Sequence, residues 1–322
     1  MAGSDVAYLF DGQQLHTLDT GSPRPLRWAA WQPAPRGASV CLLVGNRGTA
    51  LLYDGARFRP LPTGATQNLR GVGWSPDGKT ALLVGNRGCA LLYHGEGVEA
   101  LASPTLENLR RVAWHPRGDY ALIVGNAGTV LRFEPEDGGA GPSLWPLPGD
   151  RAHTLRSLAF RPDGAYALVS AYASRWVGYP RPHALYRCDG RFLQALLGSD
   201  DEDDLVAVDW RPDGAQALVV GYAWSRQGRL PPPEADPPLA EGRQGRTLNK
   251  LLTYDGSGFS YREVEAPGLL WGVGWHPSGR YALLLGEAGA AFRYQEGRLV
   301  PLETGTKDNL VGPFWKPDGA CA

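Results

Sequence analysis

The apolar residues of this chain come in short runs separated by turn-forming residues. Ala81-Leu82-Leu83-Val84 leads into Gly85-Asn86-Arg87-Gly88, then Ala90-Leu91-Leu92-Tyr93 and His94-Gly95. The first run does not alternate between apolar and polar positions, as a strand with one wet face would, so it fits a strand with both faces of its sheet buried. Asn-x-Gly and Asp-Gly supply the positive φ angles of tight hairpins, and they set strands on either side of each turn. Upstream, Leu69 to Trp74 reads as a further strand that ends in the turn Ser75-Pro76-Asp77-Gly78.

This unit recurs. The first copy carries Trp31, Pro33 and Gly37, then Leu42-Leu43-Val44-Gly45-Asn46-Arg47-Gly48 and Leu51-Leu52-Tyr53-Asp54-Gly55; the third carries Trp114, Pro116, Gly118 and Val124-Gly125-Asn126. Aromatic-x-Pro anchors continue at Phe160, Trp210, Trp275 and Trp315, and Asp-Gly returns at Asp189-Gly190 and Asp255-Gly256. A period of about 40 to 45 residues holding four short strands, A to D, is that of a propeller blade. Seven anchors predict an all-β, seven-bladed β-propeller formed by residues 1–322 as a single domain.

The closing blade draws on both chain ends, from residues 1–20 and 305–322. Val6 to Gly12 matches strand C and its turn, while Trp315-Lys316-Pro317-Asp318-Gly319 matches the end of strand A. Ala322 then falls where Ala81 stands and Met1 near Val84, so strand B of that blade is missing. Either the chain belongs to a longer polypeptide or that blade has three strands, and the slot is expected to accept a strand from a partner or a further domain.

On these motifs the chain resembles bacterial WD40-like seven-bladed β-propellers over essentially its whole length. Trp74-Ser75-Pro76-Asp77-Gly78-Lys79 is similar to TolB-type repeats, and the Val-Gly-Asn-Arg-Gly and Tyr-Asp-Gly slots are similar to repeats of photosystem-assembly propellers. The Trp-Asp and Gly-His pairs of WD40 units are absent. The resemblance implies a rigid interaction platform without catalysis.

Two insertions break the repeat, at 171–184 in the fourth copy and 222–250 in the fifth. Both join strands B and C, so they are expected to rise side by side from one face. The first brings Tyr172, Arg175, Trp176, Tyr179, Arg181 and His183; the second brings Tyr222, Trp224, Arg226, Arg229, Arg243 and Arg246 around the proline-rich stretch Pro231 to Pro238. Aromatics and arginines are enriched at interface hot spots, and long loops in compact domains are commonly functional. Arg47 and Arg87, at hairpin turns of the same face, complete the set of candidate contacts; the asparagines beside them read as turn formers. The competing reading has Trp176 and Trp224 capping an apolar rim. The acidic run Asp200-Asp201-Glu202-Asp203-Asp204 is placed in the adjacent connection, where it is solvated or pairs with these arginines, and it lacks EF-hand spacing.

Composition narrows the function further. Gly (43) and Pro (27) are too abundant for an all-helical chain, and 32 basic against 33 acidic residues give no global field for nucleic acid or an anionic membrane, so charge recognition must be local. Cys41, Cys89, Cys188 and Cys321 show neither CxxC spacing nor a disulfide framework and read as reduced thiols. No signal peptide or membrane span is legible, which points to a cytoplasmic protein. Gly73 to Thr80 fits the P-loop pattern, but it runs from strand to strand where phosphate binding needs a helix N-terminus. His115 and His276 follow their anchors and read as turn residues; no metal or cofactor is expected. The expected function is a non-enzymatic scaffold that binds a protein or peptide through the insertion-bearing face. The alternative is a propeller that binds a small molecule or carbohydrate.

Overall fold

The computed structural model describes residues 6–33, 40–135, 139, 141–149, 151, 153–173, 183–198, 203–223 and 247–322. β1 (Val6–Phe10) and β2 (Leu15–Asp19) form a two-stranded sheet; six four-stranded antiparallel sheets follow. Blade 1 is β3 (Leu26–Trp31), β4 (Cys41–Gly45), β5 (Ala50–Tyr53) and β6 (Phe58–Pro60), and blade 2 is β7 (Leu69–Trp74), β8 (Ala81–Gly85), β9 (Ala90–Tyr93) and β10 (Val98–Ala100). Blade 3 is β11 (Leu109–Trp114), β12 (Ala121–Gly125), β13 (Val130–Glu134) and β14 (Ser143–Leu147). Blade 4 is β15 (His153–Phe160), β16 (Ala167–Ala173), β17 (His183–Cys188) and β18 (Leu193–Gly198). Blade 5 is β19 (Asp203–Trp210), β20 (Ala217–Ala223), β21 (Thr247–Tyr254) and β22 (Phe259–Ala266), and blade 6 is β23 (Leu270–Trp275), β24 (Ala282–Gly286), β25 (Ala291–Gln295) and β26 (Arg298–Pro301).

Packing explains the unalternating strands. Leu82 and Val84 of β8 join a core with Val112, Trp114, Ile123 and Phe133 of blade 3. Ala81 and Leu83, on the opposite face, join Leu42 and Val44 of blade 1. Each second strand is thus sandwiched between two neighbouring blades, and both its faces must be apolar. Successive blades touch mainly through their first strands, β3 to β7 to β11 to β15 to β19 to β23, so the A strands converge at the hub. Three anchor indoles tie blade to blade: Trp74 Nε1 donates to the Ala30 carbonyl at 3.0 Å, Trp114 to Gly73 at 3.1 Å, and Trp315 to Gly274 at 3.1 Å, whereas the buried Nε1 of Trp210 and of Trp275 makes no such bond.

Hydrogen bonds also sort the two faces. On one, the B–C turn packs on the following D–A connection: Gly48 N–H donates to Gln67 O at 2.6 Å and Gly88 N–H to Glu107 O at 2.8 Å. A Cβ on Gly48 or Gly88 would collide with the carbonyl of Ala65 or Thr105, and both positions have positive φ, so glycine is required there twice over. On the other face the A–B turns interlock. His115 Nε2 donates to the Gly164 carbonyl at 3.1 Å while its Nδ1 accepts from Arg117 N–H; His276 does the same with Gly319 and Ser278. Both histidines are therefore inter-blade braces. The P-loop-like segment is a hairpin turn between β7 and β8, closed by Ser75 N–H to Thr80 O at 2.8 Å.

The seventh blade combines both chain ends. Residues 310–315 approach the hub next to β23 and β3: Gly272 packs against Gly312, and Phe314 meets Trp28 edge-on at 4.6 Å. The turn Lys316 N–H to Cys321 O then brings Ala322 beside Phe10, with which it exchanges two hydrogen bonds, at 2.9 and 3.0 Å. Among the described residues no strand lies between residues 310–315 and β1. All four cysteines are free; Cys41 and Cys188 are buried, and burial pushes the Cys188 thiol up to about 11. Among the described residues no helix is long and apolar enough to cross a membrane.

Two sequence readings need correction. The insertions are narrower than 171–184 and 222–250, because strand pairing continues past the usual turn position: His153 faces Ala173 and Tyr222 faces Asn249. Ala171 and Leu205, beside the extra rungs, are buried. The intervening segments are 174–182 and 224–246, outside the described residues. The acidic run is not wholly a loop either, since Asp203 and Asp204 begin β19 and Asp204 is buried.

Candidate functional site

The face that carries the B–C turns holds the predicted contacts that the structure describes. Arg47 and Arg87 sit exposed at the tips of their turns with left-handed φ of 51° and 56°. Their backbone N–H groups are held by the side-chain oxygens of Asn68 (2.9 Å) and Asn108 (3.0 Å). Tyr222 is no loop residue: it lies on β20, buried, with its ring edge-on to Trp271 at 6.3 Å, because the pairing that extends β20 carries it into the blade 5–6 core. His183 opens β17 opposite Gly198. Arg175, Trp176, Tyr179, Arg181, Trp224, Arg226, Arg229, Arg243 and Arg246 lie outside the described residues.

The hub contributes a group of side chains that the sequence reading passed over. Blades 1 to 4 each have a leucine followed by an arginine in the first strand: Leu26-Arg27, Leu69-Arg70, Leu109-Arg110 and Leu155-Arg156. In each case strand pairing skips the arginine, so it occupies a β-bulge. A bulge re-aims the side chain out of the pleat, here at the hub. Blades 5 and 6 have the same bulge with Val206 and Trp271 in it, so the basic arc spans four adjacent blades and ends on an apolar wall.

The turn asparagines orient three of these arginines. Arg110 Nε donates to Asn126 Oδ1 at 2.6 Å, and Arg27 and Arg70 make the same bond to Asn46 and Asn86. The asparagines therefore do more than shape the turn, since they lock the guanidinium planes of the arc. Tyr172 completes it, with its hydroxyl 3.5 Å from Arg110 Nη2 and its ring beneath Arg156. Arg111, next in β11, turns inward past Gly71, where a Cβ would stand 2.7 Å from the Arg110 carbonyl. It stacks on the Trp28 ring at 3.5 Å and donates through Nη1 to the carbonyls of Arg70 (2.6 Å) and Arg110 (2.8 Å).

Burial, followed by repulsion from Arg156, Arg110, Arg70 and Arg27, lowers the pKa of Arg111 well below the usual arginine value. The guanidinium keeps its proton at neutral pH, and its neighbours disfavour the charge less than burial does. Between blades 5 and 6, Asp209 is a half-buried residue whose carboxyl burial pushes up to about 7, against the opposing effect of the Trp275 backbone N–H, 2.7 Å from Oδ2.

No family model matches the chain, and no curated protein does either. Solved structures do match. A Myceliophteria thermophila Cps50 (Swd1) β-propeller domain is 12% identical with a TM-score of 0.62, covering 92% of this chain and 93% of its own. A chain of a mitotic checkpoint complex is 14% identical with a TM-score of 0.69, covering 96% of this chain and 87% of its own. At these identities the likeness is one of fold, that of a β-propeller, and it supports neither a bacterial origin nor TolB-type kinship.

Proposed function

We propose that this β-propeller is a non-enzymatic interaction platform whose B–C face captures a protein or peptide through an acidic segment laid over the hub. The convergence of Arg27, Arg70, Arg110 and Arg156 from adjacent blades, with Asn46, Asn86 and Asn126 fixing three of them, carries this reading. Guanidinium forks held in plane are suited to carboxylates, and the loss of side-chain freedom has been met before the partner arrives. Arg47 and Arg87 extend the basic surface outward, and the segments 174–182 and 224–246 depart from neighbouring blades on the same face. Arginine does not exchange protons at neutral pH, which favours binding over acid–base catalysis. The similarity to a chain of a multi-protein complex agrees with a platform role.

The test is binding of a labelled glutamate-rich peptide and its lysine-rich counterpart, followed by fluorescence anisotropy, to the full chain and to Arg70→Gln/Arg156→Gln. The acidic peptide should bind, the basic one should not, and the double variant should weaken binding by about tenfold or more. Equal binding of both peptides, or an unaffected double variant, would reject the reading. Competition by inorganic phosphate with no peptide binding would favour the small-molecule alternative. Affinity capture with a chain lacking 224–246, which leaves the strands whole, then separates the contribution of that segment.

A further inference from the structure

We propose, resting on the capture of an acidic segment by the basic arc, that the hub is two-sided and selects an extended segment in which acidic and aliphatic residues alternate. The residue held in the A-strand bulge is arginine in blades 1 to 4, but Val206 in blade 5 and Trp271 in blade 6. Val311 takes that place in the seventh blade. A Cβ on Gly272 would meet the Val311 carbonyl and Gly312, as one on Gly71 would meet the Arg110 carbonyl and Arg111. Three adjacent blades thus put apolar side chains where the other four put guanidinium groups.

A second position changes together with the first. It is the sixth residue counted from the start of each second strand. In blades 1 to 3 it is Asn46, Asn86 or Asn126, bonded to the arginine of its own blade. In blade 4 it is Tyr172, set against Arg110 and Arg156. In blade 5 it is Tyr222, whose ring meets Trp271 edge-on, and in blade 6 it is Glu287, whose Oε2 accepts the backbone N–H of Leu269 at 2.9 Å. The side chains that orient the arc are therefore exchanged along with the arginines. Trp271 Nε1 is buried and makes no hydrogen bond among the described residues, so the indole presents carbon to an incoming chain.

Both sides are equally within reach. Arg27 and Arg110 are 7% and 6% exposed, Val206 and Trp271 5% and 7%, so a ligand that enters far enough to meet the arc also meets the apolar side across the hub. A polar side chain turned to that side loses water and gains no hydrogen bond, whereas an aliphatic one is buried favourably. In an extended peptide successive side chains point to opposite sides. A chain laid across the hub with its carboxylates toward the arginines therefore turns every other side chain toward Val206, Trp271 and Val311. Alternating glutamate and leucine satisfies both sides; an unbroken glutamate run leaves charge against carbon.

The probes are three labelled peptides of equal charge, Glu-Leu-Glu-Leu-Glu, Glu-Ser-Glu-Ser-Glu and the block Leu-Leu-Glu-Glu-Glu, each flanked by glycines and titrated into the full chain by anisotropy. The alternating leucine peptide should bind about tenfold or more tighter than the serine peptide and several-fold tighter than the block. Its advantage over serine should persist in high NaCl, where screening weakens all three. Val206→Thr, which keeps the shape and adds a hydroxyl, should shrink the leucine-to-serine affinity ratio several-fold. Where circular dichroism shows that variant unfolded, the peptide ratios and their persistence in salt decide alone. Equal affinity of the leucine and serine peptides, a block that binds as well as the alternating peptide, or a ratio that folded Val206→Thr leaves unmoved would overturn the two-sided hub while the arc stands. Failure of all three to bind, or indifference of the leucine peptide to Arg70→Gln/Arg156→Gln, would overturn the arc and the two-sided hub together.

Discussion

Asp209 occupies a position that Ala30, Gly73, Ala113 and Ala159 fill in blades 1 to 4, and it places a carboxyl between blades 5 and 6. Its pKa of about 7 in the folded chain lies above the ordinary carboxylate value of about 4, so the folded state keeps a proton that the unfolded chain has released. Stability should accordingly fall as pH rises from about 4 to about 7 and stay at its lowest above that window. Asp209→Asn can still accept the Trp275 N–H and should flatten this slope, raising stability at pH 8 by at least about 1 kcal/mol relative to pH 5; urea unfolding at the two pH values checks it. Trp114 makes the opposite kind of contribution. Trp114→Phe keeps the ring contact with Phe133 but leaves the Gly73 carbonyl without its indole donor, at a cost of about 1–3 kcal/mol measured by the same unfolding experiment.

At the scale of the element, the B–C turn combines a backbone strain with a side-chain function. Arg47 and Arg87 hold left-handed φ where glycine would rest without penalty, while Ala127 and Ala288 do the same in blades 3 and 6. Arg47→Gly should therefore leave stability unchanged or raise it by up to about 1 kcal/mol in thermal unfolding, while it weakens the acidic peptide. Asn86→Ala separates turn shape from arginine orientation. Because the asparagine side chain holds Arg70, its loss should weaken acidic-peptide binding several-fold in anisotropy, with the turn's backbone bond from Gly88 to Glu107 intact. The Leu-Arg pairs at the head of four A strands are legible in the sequence. What hides their meaning is the bulge, since a regular period-2 strand would not turn successive residues such as Arg110 and Arg111 toward the same hub.

For the whole molecule, the ring converts small repeated features into one surface. Four guanidinium groups from different copies face a common axis only because the blades are arranged around it, and their field acts together on a ligand. Binding of the acidic peptide should weaken several-fold between low and physiological ionic strength, which titrations in NaCl check. The ring also gives three of the anchor tryptophans a partner outside their own repeat. Trp74, Trp114 and Trp315 each reach back to the preceding blade, so a contact invisible within one repeat is what fastens neighbours together.

The sequence by itself determined the blade: its four strands, its glycine-bearing turns and the number of copies. These are local or periodic properties, set by turn chemistry and by apolar runs that only a doubly covered sheet can bury. Tertiary structure alone decided that Tyr222 is a core residue, that His115 and His276 brace neighbouring blades, and that Arg27, Arg70, Arg110 and Arg156 share one hub. Each of those depends on contacts between residues some forty or more positions apart, which come together only when the ring closes.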